Sequence, residues 1–166
     1  ILALASTGRI DEENMNQEEL AGMRQRYVAF FGEDHLREDA IVDLESSLGT
    51  TLPDDMKAVS QFFRGDLLGG ISHYSFDGTG PATSIDSETL RLRSAIKLPH
   101  RFIVLAEPSE SLIVLDVESG AVIWCDSNDV SRLDDLDSMQ GKPNTWPSYA
   151  DFFAFLLDEE DEERIE

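Results

Sequence analysis

Residues 101–126 read RFIVLAEPSESLIVLDVESGAVIWCD and hold three apolar runs, at 102–106, 112–115 and 121–125. Branched and aromatic side chains dominate each run, and these pack well on a pleated surface but lose rotamer freedom in a helix. Glu107-Pro108-Ser109-Glu110-Ser111 and Asp116-Val117-Glu118-Ser119-Gly120, both rich in turn formers, separate the runs. Connections this short join antiparallel neighbours, because parallel strands need a crossover of roughly a dozen residues or more. The stretch is therefore predicted to be a three-stranded meander. So apolar a sheet needs cover on at least one face, and the rest of the chain has to supply it.

Upstream of the meander, Leu67-Leu68-Gly69-Gly70 is too glycine-rich for a good helix, and residues 70–76 are predicted to add a fourth strand to the sheet. An exposed turn at 77–81 follows, and then a helical segment at about 86–97 that carries Leu90, Leu92 and Ile96. Thr51-Leu52-Pro53-Asp54-Asp55 reads as a helix start, with Pro at the first helical position and two acids complementing the positive end of the dipole. That helix would turn Met56, Val59, Phe62 and Phe63 inward and stop near Gly65. A short helix from about Asp39 buries Ile41, Leu44 and Leu48 and ends at Gly49. Before it, Asn16 and Glu19 form a capping pair for a helix through Leu20, Met23, Tyr27 and Phe31, stopped by Gly32.

Downstream, residues 126–146 are polar and irregular. Ser148 and Asp151 cap a last helix through Phe152, Phe153, Phe155, Leu156 and Leu157, and the charge run 158–166 is expected to be solvated and disordered. The whole is an α+β single domain with an antiparallel sheet of four or more strands and helices on both chain sides of it. Its parts are a helical extension at 1–37, the α+β domain at 38–157 and an acidic tail at 158–166.

Thirteen basic residues face 34 acidic ones among 166, a formal net charge of -21. Such a charge opposes binding to nucleic acid or anionic lipid and favours cationic partners. It is concentrated late: residues 107–166 carry a net -14 and residues 1–106 a net -7. The single Cys125 excludes an intrachain disulfide, and a reducing, cytoplasmic setting is expected. Residues 1–6 resemble the end of a signal peptide, but without a basic leader or a full apolar region.

Catalytic patterns are thin. Gly65-Asp66-Leu67-Leu68-Gly69-Gly70 has the wrong spacing for a phosphate loop, and the calcium-like start at Asp126 puts Val130 and Asp137 where the loop needs an oxygen ligand and a Glu. His35, His73 and His100 stand apart with no metal-ligand spacing, and Cys125 has no basic neighbour to activate it. No cofactor and no metal are expected, and no catalytic residue is assigned.

The run Ile41-Val42-Asp43-Leu44-Glu45-Ser46-Ser47-Leu48-Gly49-Thr50-Thr51-Leu52-Pro53 resembles the opening motif of the SUKH superfamily (Smi/Knr-like), in which Leu-Glu, Leu-Gly and Leu-Pro fall at these spacings. Gly69-Gly70, Leu98-Pro99, the strands at 102–116 and 120–126 and the closing Ser148-Tyr149-Ala150-Asp151-Phe152-Phe153 are similar to its later blocks, so the resemblance spans residues 38–157. Three features depart from it: Asp66-Leu67-Leu68 interrupts the glycine block, the helical segment at 86–97 matches only loosely, and the helix before Glu38 has no counterpart.

The resemblance implies an α+β domain without catalytic residues, used mostly as an immunity protein that binds and neutralises a toxin domain. Many such toxins are nucleases and therefore basic, which fits the charge of this chain. On that reading the partner is a basic protein, with no nucleic acid and no membrane involved. The acids near the sheet ends, Glu107, Glu110, Asp126, Asp129, Asp134 and Asp135, are the expected contacts, with Tyr74 and Trp146 as aromatic anchors. The alternative within the superfamily is a regulatory scaffold of the cell-wall-synthesis-regulator type; a small hydrolase is a third class.

Overall fold

The computed structural model describes residues 2–79 and 83–165, with side chains in α1 from residue 17 onward. In order, the chain forms α1 (Leu2–Phe31), α2 (Ala40–Leu48), α3 (Asp54–Ser60), β1 (Asp66–Leu68), β2 (Ile71–His73), α4 (Ile85–Ile96), β3 (Phe102–Ala106), β4 (Ser111–Asp116), β5 (Val122–Asp126), β6 (Asn144–Trp146) and α5 (Tyr149–Ile165). Two 3₁₀ segments, Ser127–Arg132 and Leu136–Ser138, fill the connection between β5 and β6. Among the described residues, no helix is long and apolar enough to cross a membrane.

The meander forms as expected, with Val104 opposite Val114 and Val114 opposite Ile123 in antiparallel register. Both faces are covered, which explains why its strands read as continuous apolar runs and not as an alternation. Ile103, Leu105, Ile113, Leu115 and Val122 point into the larger core with Met23, Tyr27, Met56, Phe63, Phe152 and Phe153. Phe102, Val104, Leu112, Val114, Ile123 and Cys125 point the other way, onto Leu92, Leu98 and Leu133.

The fourth strand of the sheet is β6, paired with β5, and not residues 70–76. Those residues instead supply β2, which pairs with β1 in a separate two-stranded sheet. Leu68 lies opposite Ile71, and between them Gly69 and Gly70 take left-handed φ of +59° and +80°, the conformation that a two-residue hairpin turn demands. A β-bulge between Val104 and Ala106 places Leu105 and Ala106 in the same core. The free edge of β3 is then closed from outside: Tyr74 N–H donates to the Leu105 carbonyl at 2.7 Å, and Val104 N–H donates to the buried Thr89 hydroxyl at 2.9 Å.

Helix ends follow the local chemistry with three differences. Gly32 and Gly49 are left-handed as expected, and Ser84 caps α4 by accepting from Ser87 N–H. Pro53 lies one residue before α3, and the helix ends at Ser60, so Phe62 and Phe63 are buried from the turn beyond it. Asn16 is interior to α1, which begins at Leu2.

The largest difference is at the acidic tail, where α5 continues to Ile165. Arg26 on α1 reaches Asp158 at 2.9 Å and Asp161 at 2.6 Å, and Glu160 accepts from Gly69 N–H at 3.0 Å while pairing with Arg164 at 2.8 Å. The run is therefore helical, although Asp158 and residues 162–165 stay exposed to solvent as expected. The expected turn at 77–81 lies partly outside the described residues; within them, the Asp77 carboxylate accepts from Thr79 N–H and Oγ1.

Candidate partner-binding surface

The eight residues expected to meet a partner do not form one patch. At the end of the sheet where β3 passes into β4 lie Glu107, Glu110 and Asp126, the last opposite Ser111 in register. The Glu107 carboxylate accepts from the Tyr74 hydroxyl at 3.1 Å and pairs with Arg91, which also holds Glu88 at 2.6 Å. Burial, together with Glu107, drives the Tyr74 phenol above its ordinary value. Glu110 is exposed at the tip of the turn with φ of +58°, and the exposed Asp126 accepts from Asn128 N–H at 2.8 Å, capping the first 3₁₀ segment.

Asp134, Asp135 and Trp146 belong toward the opposite end. Asp134 lies 4.0 Å from Arg101, which also holds Asp116 at 2.5 Å and Glu118 at 3.4 Å. Burial pushes the Asp116 carboxyl up, but bonds from Arg101 and the Glu118 amide outweigh it and hold the group below the usual carboxylate range. Trp146 lies opposite Val122 and packs on Phe152 and Phe155 with ring centroids 5.0 and 5.1 Å away. It shares a groove with Asp134 and Arg101, while Asp135 is exposed and does not line that groove.

Asp129 is not a rim acid. It is 2% exposed, and its two carboxylate oxygens accept from Gln140 N–H and Gly141 N–H, each at 2.9 Å. Those amides, with Arg132 beside them, hold its carboxyl below the ordinary value. Its role is to pin the β5–β6 connection, a job invisible in a segment whose composition reads as solvated loop.

Sequence reasoning also missed how thoroughly the cations are committed. Arg24 pairs with Glu33, Arg37 with Asp43, Lys57 with Glu45 and Arg64 with Asp34, besides the pairs already described. Among the described residues, Lys97, Lys142 and Arg93 are the bases without an acidic partner in reach. Arg93 instead donates to the carbonyls of Leu48 at 2.8 Å and His100 at 3.2 Å, tying α4 to the C-terminus of α2. Many surface acids are left uncompensated by contrast.

Cys125 and His73 are locked in the core, whereas His35 and His100 are exposed. Burial pushes the Cys125 thiol up to about 11, with Asp129 and Asp126 adding to the effect. His73 is fully buried: its Nδ1–H donates to the Tyr74 carbonyl at 2.7 Å and its Nε2 accepts from the Tyr149 hydroxyl at 2.9 Å. Desolvation lowers its pKa to about 4 and keeps the ring neutral. No three His, Cys, Asp or Glu side chains converge to hold a metal among the described residues.

The motif residues that carried the family resemblance turn out to build the frame. Leu44, Leu48 and Leu52 are buried, and the Glu45 carboxylate accepts from Leu52 N–H at 2.7 Å and pairs with Lys57 at 3.2 Å. Gly69 lets the hairpin approach α5, since a Cβ there would lie 2.5 Å from the Leu156 carbonyl oxygen. No curated protein matches the chain at a significant level. The SMI1/KNR4 family (SUKH-1) matches residues 35–156, the stretch that holds both sheets and the Leu-Glu, Leu-Gly and Leu-Pro frame, and the chain belongs to that family.

Proposed function

We propose that the protein is a non-enzymatic immunity protein that acts in the cytoplasm by binding and neutralising a basic toxin domain of the nuclease kind. Family membership makes this role consistent, and the commitment of the cations carries the reading further. With most arginines and lysines held in ion pairs within the chain, the net charge of -21 falls on the acids outside those pairs. A field of that sign repels nucleic acid and anionic membranes and accelerates encounter with a cationic protein.

The test is to purify a basic toxin domain encoded beside this protein and measure inhibition and association kinetics at low and high salt. Stoichiometric inhibition is expected, with association at least about tenfold slower at high salt. A neutral or acidic partner, or association indifferent to salt, overturns the electrostatic reading. Binding of several proteins without inhibition would instead establish a regulatory scaffold, and turnover of a substrate would establish an enzyme.

A further inference from the structure

A helix start ordinarily offers unpaired amides to an anion. At the start of α5 those amides are taken: Ala150 N–H donates to Asp55 Oδ2 at 2.9 Å and Asp151 N–H to Ser148 Oγ at 3.1 Å. A groove of about 660 Å³ opens here, walled by α1, α3, the turn at Ser119 and Gly120, and residues 147–151. Leu20, Met23, Ala58 and Ala150 give it an apolar lining, Glu19, Asp54, Asp55 and Asp151 surround that lining with carboxylates, and no base is among the described lining residues. Asp55 and Asp151 are occupied by the bonds that start α5. Glu19 and Asp54 are exposed, and neither takes part in a side-chain hydrogen bond or ion pair among the described residues.

The other acidic surfaces lack this combination. Glu107 already holds Arg91, the groove at Asp134 contains Arg101, and the groove beside β1 contains Arg64. With its donors used and its carboxylates turned to solvent, the groove beside α5 rejects an anion. Its apolar lining suits the alkyl stem of a long cationic side chain, whose head would lie among the acids. The geometry points to this groove as the seat of an arginine-led cationic segment of the protein partner. The assignment rests on the reading of the chain as a binder of a basic protein. Glu19, Leu20 and Met23 lie on α1, outside the stretch that matches the family, so the groove joins residues inside that stretch to a wall outside it.

The probe is a short oligo-arginine peptide, titrated into the isotopically labelled full chain and followed through backbone amide resonances, with oligo-glutamate as control. Shifts are expected to concentrate at Glu19, Leu20, Met23, Asp54, Ala58 and Gly120. The double variant Glu19→Gln, Asp54→Asn should weaken binding about tenfold, as should Ala58→Arg, which places an internal cation in the groove, whereas Glu38→Gln with Asp39→Asn, two exposed acids outside the groove, should change it less than about twofold. Retained melting temperatures establish that the variants fold. Shifts spread evenly over the acidic surface, or a double variant that binds like the wild type, overturn the assignment. If the toxin domain still binds with steep salt dependence while the groove variants leave that binding unchanged, the groove assignment alone falls and the immunity reading stands.

Discussion

His73 contributes to the core only while it is neutral. Its folded-state pKa of about 4 lies below the ordinary 6.5, so the unfolded chain takes up the proton first. Stability is therefore complete above about pH 6.5 and falls as pH drops toward the folded-state value. Between about pH 6.5 and pH 5 the loss from this one ring is about 2 kcal/mol. Denaturant titrations across that range should show it, and His73→Phe should remove this part of the slope; an unchanged slope in the variant would assign the pH dependence elsewhere. Trp124 is a quieter case. Read as a wholly buried strand residue it would cost about 3 to 5 kcal/mol to truncate. It is only partly buried on the core face and donates from Nε1 to Ser111 Oγ at 2.8 Å. Trp124→Ala should cost about 2 kcal/mol and the wholly buried Ile113→Ala about 3 to 4 kcal/mol, and equal denaturation midpoints would contradict this order.

At the scale of elements, the β1–β2 hairpin is held against α5 by a position that admits no side chain. Gly69 combines φ of +59° with its close approach to the Leu156 carbonyl, and its N–H is bonded to Glu160. Gly69→Ala should cost about 2 to 3 kcal/mol, more than a left-handed alanine alone, because the hairpin must back away from the helix. A melting temperature unchanged by the substitution would show that the hairpin has room to retreat. The same element shows where sequence reading stops. The meander was legible because its three runs are long, branched and closely spaced. The strand β6 was not: its three residues Asn144, Thr145 and Trp146 are polar or half-exposed, so no burial pattern marks them. Residues 70–76 carried strand composition, but composition does not name a partner, and the left-handed Gly69-Gly70 turn pairs them with Asp66–Leu68. The charge run after residue 157 looked disordered because the partners that hold it, Arg26 and Gly69, are distant in sequence. The candidate surface was least legible, since an acid that pins a loop, such as Asp129, and an acid that faces solvent, such as Asp135, are the same letter.

For the whole molecule, the charge that the proposed function uses to steer a partner also strains the fold. Carboxylates crowded on α5 and around the sheet repel one another, and screening within a Debye length of about 10 Å at moderate salt relieves that repulsion. Added sodium chloride should therefore raise the urea midpoint of the free protein while it slows association with a basic partner. Opposite responses to one variable are the signature; a midpoint that falls with salt would mean that the ion pairs outweigh the repulsion. The two edges of the four-stranded sheet are guarded as well. Thr89 and Tyr74 cover β3, and Pro143 and Pro147 bracket the short β6, which discourages pairing with another chain. The ion pairs from Arg26 to Asp158 and Asp161 also have a consequence in time. They span 132 and 135 residues, so α1 emerges from a ribosome long before its counterpart exists. At about 5 to 20 residues per second the wait is on the order of ten seconds, during which Tyr27 has Phe62 and Phe63 to pack on but the α5 side of α1 is uncovered. Docking of the first helix against α5 is thus deferred to the end of synthesis, and that side of α1 is open to chaperones, proteases and mispairing during the interval.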